Sequence, residues 1–319
     1  MKTSAISILH LDTNHPLLWE MLEHAGFMNQ LDATSNLEKV LEKIHLYDGI
    51  VIRSRFKLDA DFLKLATRLK FIARVGAGLE NIDLDFAKHQ GIHLIAAPEG
   101  NSNAVGEHAL GMLLSLMNKI NTANTDIKSG FWRREIHRGH EVAGKTVGII
   151  GYGHMGRSFA QKLSGFNCKV VCFDILPQKT DAFAQQVDWE TFCRISDVVS
   201  LHTPLTAATY QMVNQSFFDA FQKPIWVINT ARGASVVTAD LVEAIKSGRV
   251  LGAGLDVLEY EKTSFETLFE METLPAPLAF LLQSEQVLLS PHVAGWTFES
   301  HQRLAKVIAD KIIDWSKQN

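Results

Sequence analysis

The sequence predicts an α/β protein of two parallel-sheet domains, a larger doubly wound one and a smaller flavodoxin-like one. Three observations carry this. Short apolar runs alternate with helix-compatible stretches along the whole chain, the rhythm of parallel strands joined by covering helices. At 319 residues there is enough chain for two cores of ordinary size. A glycine-rich turn, Gly151-Tyr152-Gly153-His154-Met155-Gly156, falls between the apolar runs 145–150 and 169–173 and marks where the larger sheet begins.

Taken in order, residues 6–11 read as a strand and 16–24 as a helix closed by Gly26. A helix over 36–44 precedes a strand at 49–53. A helix at 59–66, a strand at 71–75, a helix at 84–90 capped by Gly91 and a strand at 92–96 complete the small unit. Residues 98–103 read as a polar break. The helix predicted over 104–118 is too apolar for one exposed face, so it should pack on a sheet, a second copy of the chain, or both. Residues 130–144, with Phe131, Trp132, Arg133, Arg134 and Arg138, read as irregular. Beyond Asp174, strands at 197–202, 225–229, 251–257 and 287–290 join the two around the glycine turn in a six-stranded sheet. The final helix, 299–317, places Leu304, Ile308, Ile312 and Trp315 on one face and should return to the first domain. The expected division is therefore 1–99 with 296–319, and 100–295.

With 46% hydrophobic and 21% charged residues the chain is a folding globular one. A formal net charge of −4 and the lack of a strongly basic stretch exclude a general nucleic-acid binder, although local basic clusters suit a small anion. Cys168, Cys172 and Cys193 are odd in number and set among apolar residues, which points to buried free thiols in a reducing cytoplasm rather than to disulfides or a zinc site; no metal is expected. The sequence begins without a basic region leading into an apolar run and has no apolar stretch of membrane-spanning length, so neither export nor a membrane is expected.

The glycine turn has a chemical reading. Gly151 permits a tight turn, Gly153 lets the backbone approach a pyrophosphate, and Gly156 lets the following helix lie close on its strand. The phosphates of a dinucleotide then meet the free N–H groups and positive end of that helix. Asp174, at the end of the second strand, is placed to bind the adenosine ribose hydroxyls and to repel a 2′-phosphate, and Ile175-Leu176-Pro177 supplies no arginine to reverse this. The expected cofactor is NAD, on a Rossmann-type sheet.

Ligands of open parallel sheets bind beyond the carboxyl ends of strands, where three reactive types occur here. Thr230-Ala231-Arg232-Gly233, Asp256 to Glu261, and Ser290-Pro291-His292-Val293-Ala294-Gly295 each follow a strand. Arg232 offers a planar fork for a carboxylate. His292 suits proton exchange with a hydroxyl because imidazole titrates near neutral pH. Glu261 would orient that ring and stabilise its protonated form. The chemistry implied is hydride transfer between a 2-hydroxy acid and NAD. Asp256 reads as a ligand of the nicotinamide carboxamide or ribose. His202, Thr203 and Pro204 end another strand and join Thr230, Ala231, Ala294 and Gly295 as cofactor-binding candidates. His10, His24, His89, His108 and His137 read as surface or packing residues.

These motifs, with residues 196–206 (Ser-Asp-Val-Val-Ser-Leu-His-Thr-Pro-Leu-Thr) and Gly254-Leu255-Asp256-Val257-Leu258, resemble the NAD-dependent D-isomer-specific 2-hydroxyacid dehydrogenases over nearly the whole chain. Within that family, Ile52-Arg53-Ser54-Arg55 and the His-Met pair of the glycine turn are most similar to D-3-phosphoglycerate dehydrogenases. The resemblance implies catalysis by Arg232, Glu261 and His292. It also implies cofactor contacts from His154, Met155, Asp174, Thr203, Thr230, Asp256 and Ala294, substrate contacts from Arg53, Ser54, Gly76, Ala77 and Gly78, and a homodimer formed through the cofactor domain.

Two departures stand out: Lys262, opening a long stretch to Gln286, follows Glu261 where the family has proline, which makes Glu259 an alternative to Glu261, and Ala77 stands where relatives carry threonine. No regulatory extension follows residue 319, so serine feedback through one is not expected. Arg53, Arg55 and Lys57 alternate in extended chain, which suits a phosphate and suggests 3-phosphoglycerate, oxidised on the way to serine. Arg133, Arg134 and Arg138 are candidates to reach the same site from a partner copy. The alternatives are a glyoxylate or hydroxypyruvate reductase, and a non-catalytic NAD sensor, against which the full Arg/Glu/His set argues. Formate dehydrogenase chemistry is disfavoured because its relatives carry an amide at position 261.

Overall fold

The computed structural model describes residues 5–261 and 274–318. The chain separates into two compact units, one of residues 1–101 and 296–319, the other of residues 102–295.

In the first unit, β1 (Ser7–His10), β2 (Met28–Leu31), β3 (Gly49–Ile52), β4 (Phe71–Arg74) and β5 (His93–Ala96) form a parallel sheet in the order β2-β1-β3-β4-β5. That is the flavodoxin-like order. Helices α1 (Pro16–His24), α2 (Leu37–Leu41), α3 (Ala60–Leu65) and α4 (Leu84–His89) connect the strands. Their starts are local chemistry: Asn36, Asp59 and Asp83 each accept a hydrogen bond from the backbone N–H three residues on, satisfying a donor that the helix leaves free. Strand β2 has no counterpart among the expected elements. It is an edge strand with mostly exposed side chains, so it lacks the apolar run that marks a covered one.

The second unit opens with α5 (Pro98–Met117), whose residues from 102 onward belong to it. The expected polar break at 98–103 is instead the first turns of this helix. Proline suits the first position because its missing N–H would have no partner there, and Glu99 stabilises the positive end. Then follow α6 (Ile120–Lys128), β6 (Thr146–Ile150), α7 (His154–Lys162), β7 (Lys169–Phe173), β8 (Gln185–Gln186), α8 (Trp189–Ile195) and β9 (Val198–Leu201). The unit continues through α9 (Gln215–Ala220), β10 (Ile225–Asn229), α10 (Thr238–Lys246), β11 (Val250–Leu255), α11 (Ala276–Gln283) and β12 (Val287–Leu289). Among the described residues the sheet has seven parallel strands, not six, in the order β12-β11-β10-β9-β6-β7-β8. The seventh, β8, is two glutamines long and leaves no pattern in a sequence.

Both faces of this sheet are covered. Ala109, Met112, Leu113 and Met117 of α5 pack with Val147, Ile149, Phe159 and Ile228, while Phe192, Phe217, Phe218 and Leu241 pack with Val199, Leu201 and Val227 on the other side. Helix α5 also lies close on α7, since a Cβ on Gly106 would meet the Ser158 side chain and the Phe159 backbone nitrogen.

The last helix, α12 (Phe298–Gln318), packs in the first unit against α1, β4 and β5. Leu304, Ile308 and Ile312 are buried there with Leu18, Leu22, Val51, Phe71 and Ala73. Among the described residues no helix is long and apolar enough to cross a membrane. Replacing the fully buried Ile308 with alanine should destabilise the first unit by about 2–5 kcal/mol, by lost apolar transfer and the cavity left behind. Urea unfolding followed by circular dichroism measures this.

Candidate active site

Strand β6 has β7 on one side and β9 on the other, so the strand order reverses there and opens a crevice at the carboxyl ends. Gly151 stands at that point with φ +87°, and a Cβ on it would also lie 2.9 Å from the carbonyl of His202. Only glycine meets both demands. A Cβ on Gly156 would come within 2.2 Å of the Gly151 carbonyl oxygen, so α7 lies directly on the turn. Gly153 differs: a Cβ there would meet nothing. It is the N-cap of α7 and supplies no side-chain hydrogen bond there, and the next residue, His154, is exposed while Met155 is half-buried.

The other strand ends suit a polar ligand lying along them. The carboxylate of Asp174 accepts hydrogen bonds from the backbone of Tyr152 (2.7 Å) and Leu176 (2.9 Å), which fixes it beside the glycine turn. Thr203 after β9 and Thr230 after β10 each hold a buried hydroxyl without a hydrogen-bond partner among the described residues. These two hydroxyls and the open face at Gly153 fit a dinucleotide. Pro204 is exposed, Ala231 and Ala294 are buried and Gly295 is half-buried. His202 turns the other way. Its ring lies beside Phe159 with Nε2 2.8 Å from the Ser200 hydroxyl, and burial pushes its pKa down to about 3, so it is a neutral packing group whose side chain faces the core.

Three adjacent strands, β10, β11 and β12, deliver the reactive residues. After β10, the buried Asn229 clips the turn by accepting from the Ala231 N–H (3.0 Å) and donating to the Arg232 carbonyl (3.1 Å). This pairing was not anticipated from the sequence, although an asparagine ending a strand is its usual signal. Gly233 runs so close to the next loop that a Cβ would lie 1.9 Å from the Leu258 carbonyl oxygen. After β11, the Glu261 carboxylate accepts from the Leu258 N–H (2.6 Å) and lies 2.8 Å from His292 Nδ1. Glu259 is otherwise engaged, accepting from the Thr238 N–H at the start of α10 (2.8 Å). The acid beside the imidazole is thus Glu261, and Glu259 is not its stand-in. Of the stretch opened by Lys262, residues 262–273 lie outside the described residues.

Asp256 departs from the expectation that it faces the nicotinamide carboxamide or ribose. It is 1% exposed, and its carboxylate accepts from Ser290 Oγ, the Val293 N–H and the Ala294 N–H. A buried carboxylate takes the donors that reach it, and here they come from the loop that carries His292.

In the first unit, the backbone N–H of Arg53 donates to Asp12 (2.6 Å) and its guanidinium lies 4.2 Å from the centre of the Trp296 ring. Ser54, Ala77 and Gly78 are half-buried. Gly76 is covered by the Arg74 guanidinium, which also donates to the Arg53 carbonyl (3.2 Å). Arg55 does not extend beside Arg53 toward a shared anion: its guanidinium turns back to the carbonyls of Leu11, Asp32 and Ser35, and Lys57 is exposed.

In the 130–144 segment of the second unit, Arg133 and His137 both bind Asp126, holding its carboxyl well below the usual range, and Arg138 pairs with Glu135. Cys168, Cys172 and Cys193 are free thiols, and burial raises the pKa of each.

Comparison with known proteins agrees with this geometry. Residues 110–294 match the NAD-binding domain of the D-isomer specific 2-hydroxyacid dehydrogenases. A D-3-phosphoglycerate dehydrogenase from Archaeoglobus fulgidus is 34% identical over 88% of this chain and 51% of its own length. A hydroxypyruvate reductase from Thermotoga maritima is 33% identical over 94% of this chain and 95% of its own. The chain thus spans about half the length of the phosphoglycerate dehydrogenases it matches and nearly all of the reductase. The structure of a D-lactate dehydrogenase from Aquifex aeolicus complexed with NAD and lactic acid aligns with a TM-score of 0.84 at 26% identity, covering 98% of this chain and 96% of that one. The glycine turn, the aligned strand ends and these likenesses lead to one conclusion: the chain belongs to the D-isomer specific 2-hydroxyacid dehydrogenase family, with NAD as the cofactor of its second unit.

Proposed function

We propose that the chain catalyses NAD-linked interconversion of a D-2-hydroxy acid and its 2-oxo acid. The observation that supports this most is the 2.8 Å pairing of His292 Nδ1 with Glu261. With Nδ1–H directed at a carboxylate, the nitrogen that exchanges a proton with the substrate is Nε2: it accepts the hydroxyl proton in oxidation and returns it to the carbonyl oxygen in reduction. Glu261 fixes the tautomer and stabilises the imidazolium that forms. Arg232, one strand over, grips the substrate carboxylate. NAD, when bound, takes or supplies the hydride. Gly151, Gly153 and Gly156 shape its pyrophosphate seat, and Asp174 favours NAD over NADP by charge.

The substrate proposed is 3-phosphoglycerate, with Arg53 as its phosphate ligand. A second reading, an unphosphorylated 2-oxo acid such as hydroxypyruvate or glyoxylate, is favoured by Arg55, whose guanidinium is already taken up by carbonyls. We also propose a cytoplasmic homodimer formed through the second unit. Ile120, Ile127, Phe131, Trp132 and Ile136 are all exposed on α6 and the segment after it, and a Cβ on Gly111 of α5 would meet open space.

Absorbance of NADH with a panel of 2-oxo acids, including phosphohydroxypyruvate, hydroxypyruvate and glyoxylate, tests the activity and ranks the substrates. His292→Ala should lower kcat about 10²–10⁴-fold on the best of them, and no turnover of any panel member by the wild type sinks the proposal. Asp174→Ala should narrow the preference for NADH over NADPH by about tenfold or more, as removal of one close repulsive charge predicts. Replacing Phe131 and Trp132 together by aspartate should convert a dimer to a monomer in sedimentation velocity; an unchanged dimer places the interface elsewhere.

A further inference from the structure

Three hydrogen bonds from the loop that carries His292 converge on one side chain. Asp256, one residue past β11, accepts from Ser290 Oγ at 2.6 Å and the Val293 N–H at 2.9 Å through Oδ1, and from the Ala294 N–H at 2.8 Å through Oδ2. Its own carbonyl accepts the His292 N–H at 2.8 Å. His292 itself has φ +54°, a left-handed conformation that a residue with a Cβ adopts at a cost of about 1–2 kcal/mol. The imidazole is therefore aimed at Glu261 by a backbone that must be held in place.

The same carboxylate has a second support. His108, on α5, lies with Nε2 2.9 Å from Ser290 Oγ and 3.5 Å from Asp256 Oδ1. The Ser290 hydroxyl proton is directed at Asp256, so its oxygen is free to accept, and His108 Nε2 must carry the hydrogen that fills it. The order of donors is His108 to Ser290 to Asp256. The His108 side chain is 27% exposed and that of Asp256 1%, so the imidazole links the buried charge to the protein surface.

We propose that His108 and Ser290 are positioning residues for the reaction: through Asp256 they hold the 290–294 loop so that the His292 ring stays on Glu261. A buried carboxylate with fewer donors finds others, and a loop that hangs on it moves with it. Neither residue need touch substrate or cofactor. The inference rests on the reading of His292 as the proton-exchanging group.

The test uses the full chain and four variants: His108→Leu, His108→Gln, Ser290→Ala and, as a control on the underlying reading, His292→Ala. Readouts are kcat, KM for NADH and for the best 2-oxo acid, the solvent deuterium effect on kcat, and the thermal melt. Independently of turnover, NMR of 15N-histidine-labelled protein reads the Nδ1 proton of His292. His108→Leu and Ser290→Ala should each lower kcat about tenfold or more, as a misplaced reacting group does. Both KM values should stay within about twofold, because Arg232 and the glycine turn are untouched. The solvent effect should grow as proton transfer becomes limiting, and the His292 Nδ1 proton should lose its protection from exchange. His108→Gln, whose amide nitrogen can take the Nε2 position, should recover most of the loss.

Wild-type kcat and an unchanged Nδ1 proton in both His108→Leu and Ser290→Ala would overturn the proposal. So would KM values that rise in step with the loss of kcat while the solvent effect stays constant. If His108→Leu does not melt cooperatively, Ser290→Ala decides by the same criteria. An active His292→Ala removes the underlying reading and this inference with it; an inactive His292→Ala beside wild-type behaviour of the other three removes this inference alone.

Discussion

The reversal of strand order at β6 is the constraint that governs the second unit. With β7 on one side and β9 on the other, the chain leaving β6 must turn immediately and enter α7 without filling the space above the neighbouring strand. Gly151 meets the His202 carbonyl there and Gly156 meets the Gly151 carbonyl, so two backbone approaches too close for any side chain fix the turn. The open face at Gly153 is what remains once those contacts are made. The anion seat is thus a product of packing on either side of it, and the positive end of α7 faces it without a side-chain cap.

At the other end of the cleft the governing term is a buried charge. Removing a carboxylate from water costs several kcal/mol unless donors replace its hydration. Asp256 gains its donors from one short loop, so desolvation and loop geometry are a single problem with a single solution. Glu261 is less buried and differently employed, with one oxygen on its own chain at Leu258 and one on His292. Asp256 and Glu261, five positions apart, thus divide the work: one sets where the loop lies, the other what its imidazole does.

Much of this was legible in the residue pattern, and the exceptions share a cause. The covered strands β3, β6, β9 and β10 are apolar but for Thr146, Ser200 and Asn229 and stand out from their surroundings, and the glycine turn and the three strand-end clusters are local chemistry. What escaped was set by partners distant in sequence. Strands β2 and β8 carry polar residues and exist because a neighbouring edge was available to pair with. Helix α6 has only Ile120 and Ile127 as large apolar residues, both exposed, too few to stand out among its polar ones. His108 looked like any histidine on a long helix, because Ser290 lies 182 positions away. His202 and Arg55 carried the residue types of a binding site, but Ser200 and Phe159 turn one toward the core, and three carbonyls hold the other.

The Asp126 clasp bears on how the 130–144 segment meets anything else. Arg133 and His137 converge on one carboxylate, Arg133 lies over the Phe131 ring, and the His140 N–H donates to the Met117 carbonyl, so the segment is tied at both ends and in the middle. A loose loop bearing Trp132 would surrender conformational freedom on docking, at about 0.5–1.5 kcal/mol for each rotamer-rich side chain immobilised. Here that ordering has been completed during folding. A surface pre-shaped in this way can recognise by fit, with selectivity drawn from its contour rather than from greasiness alone.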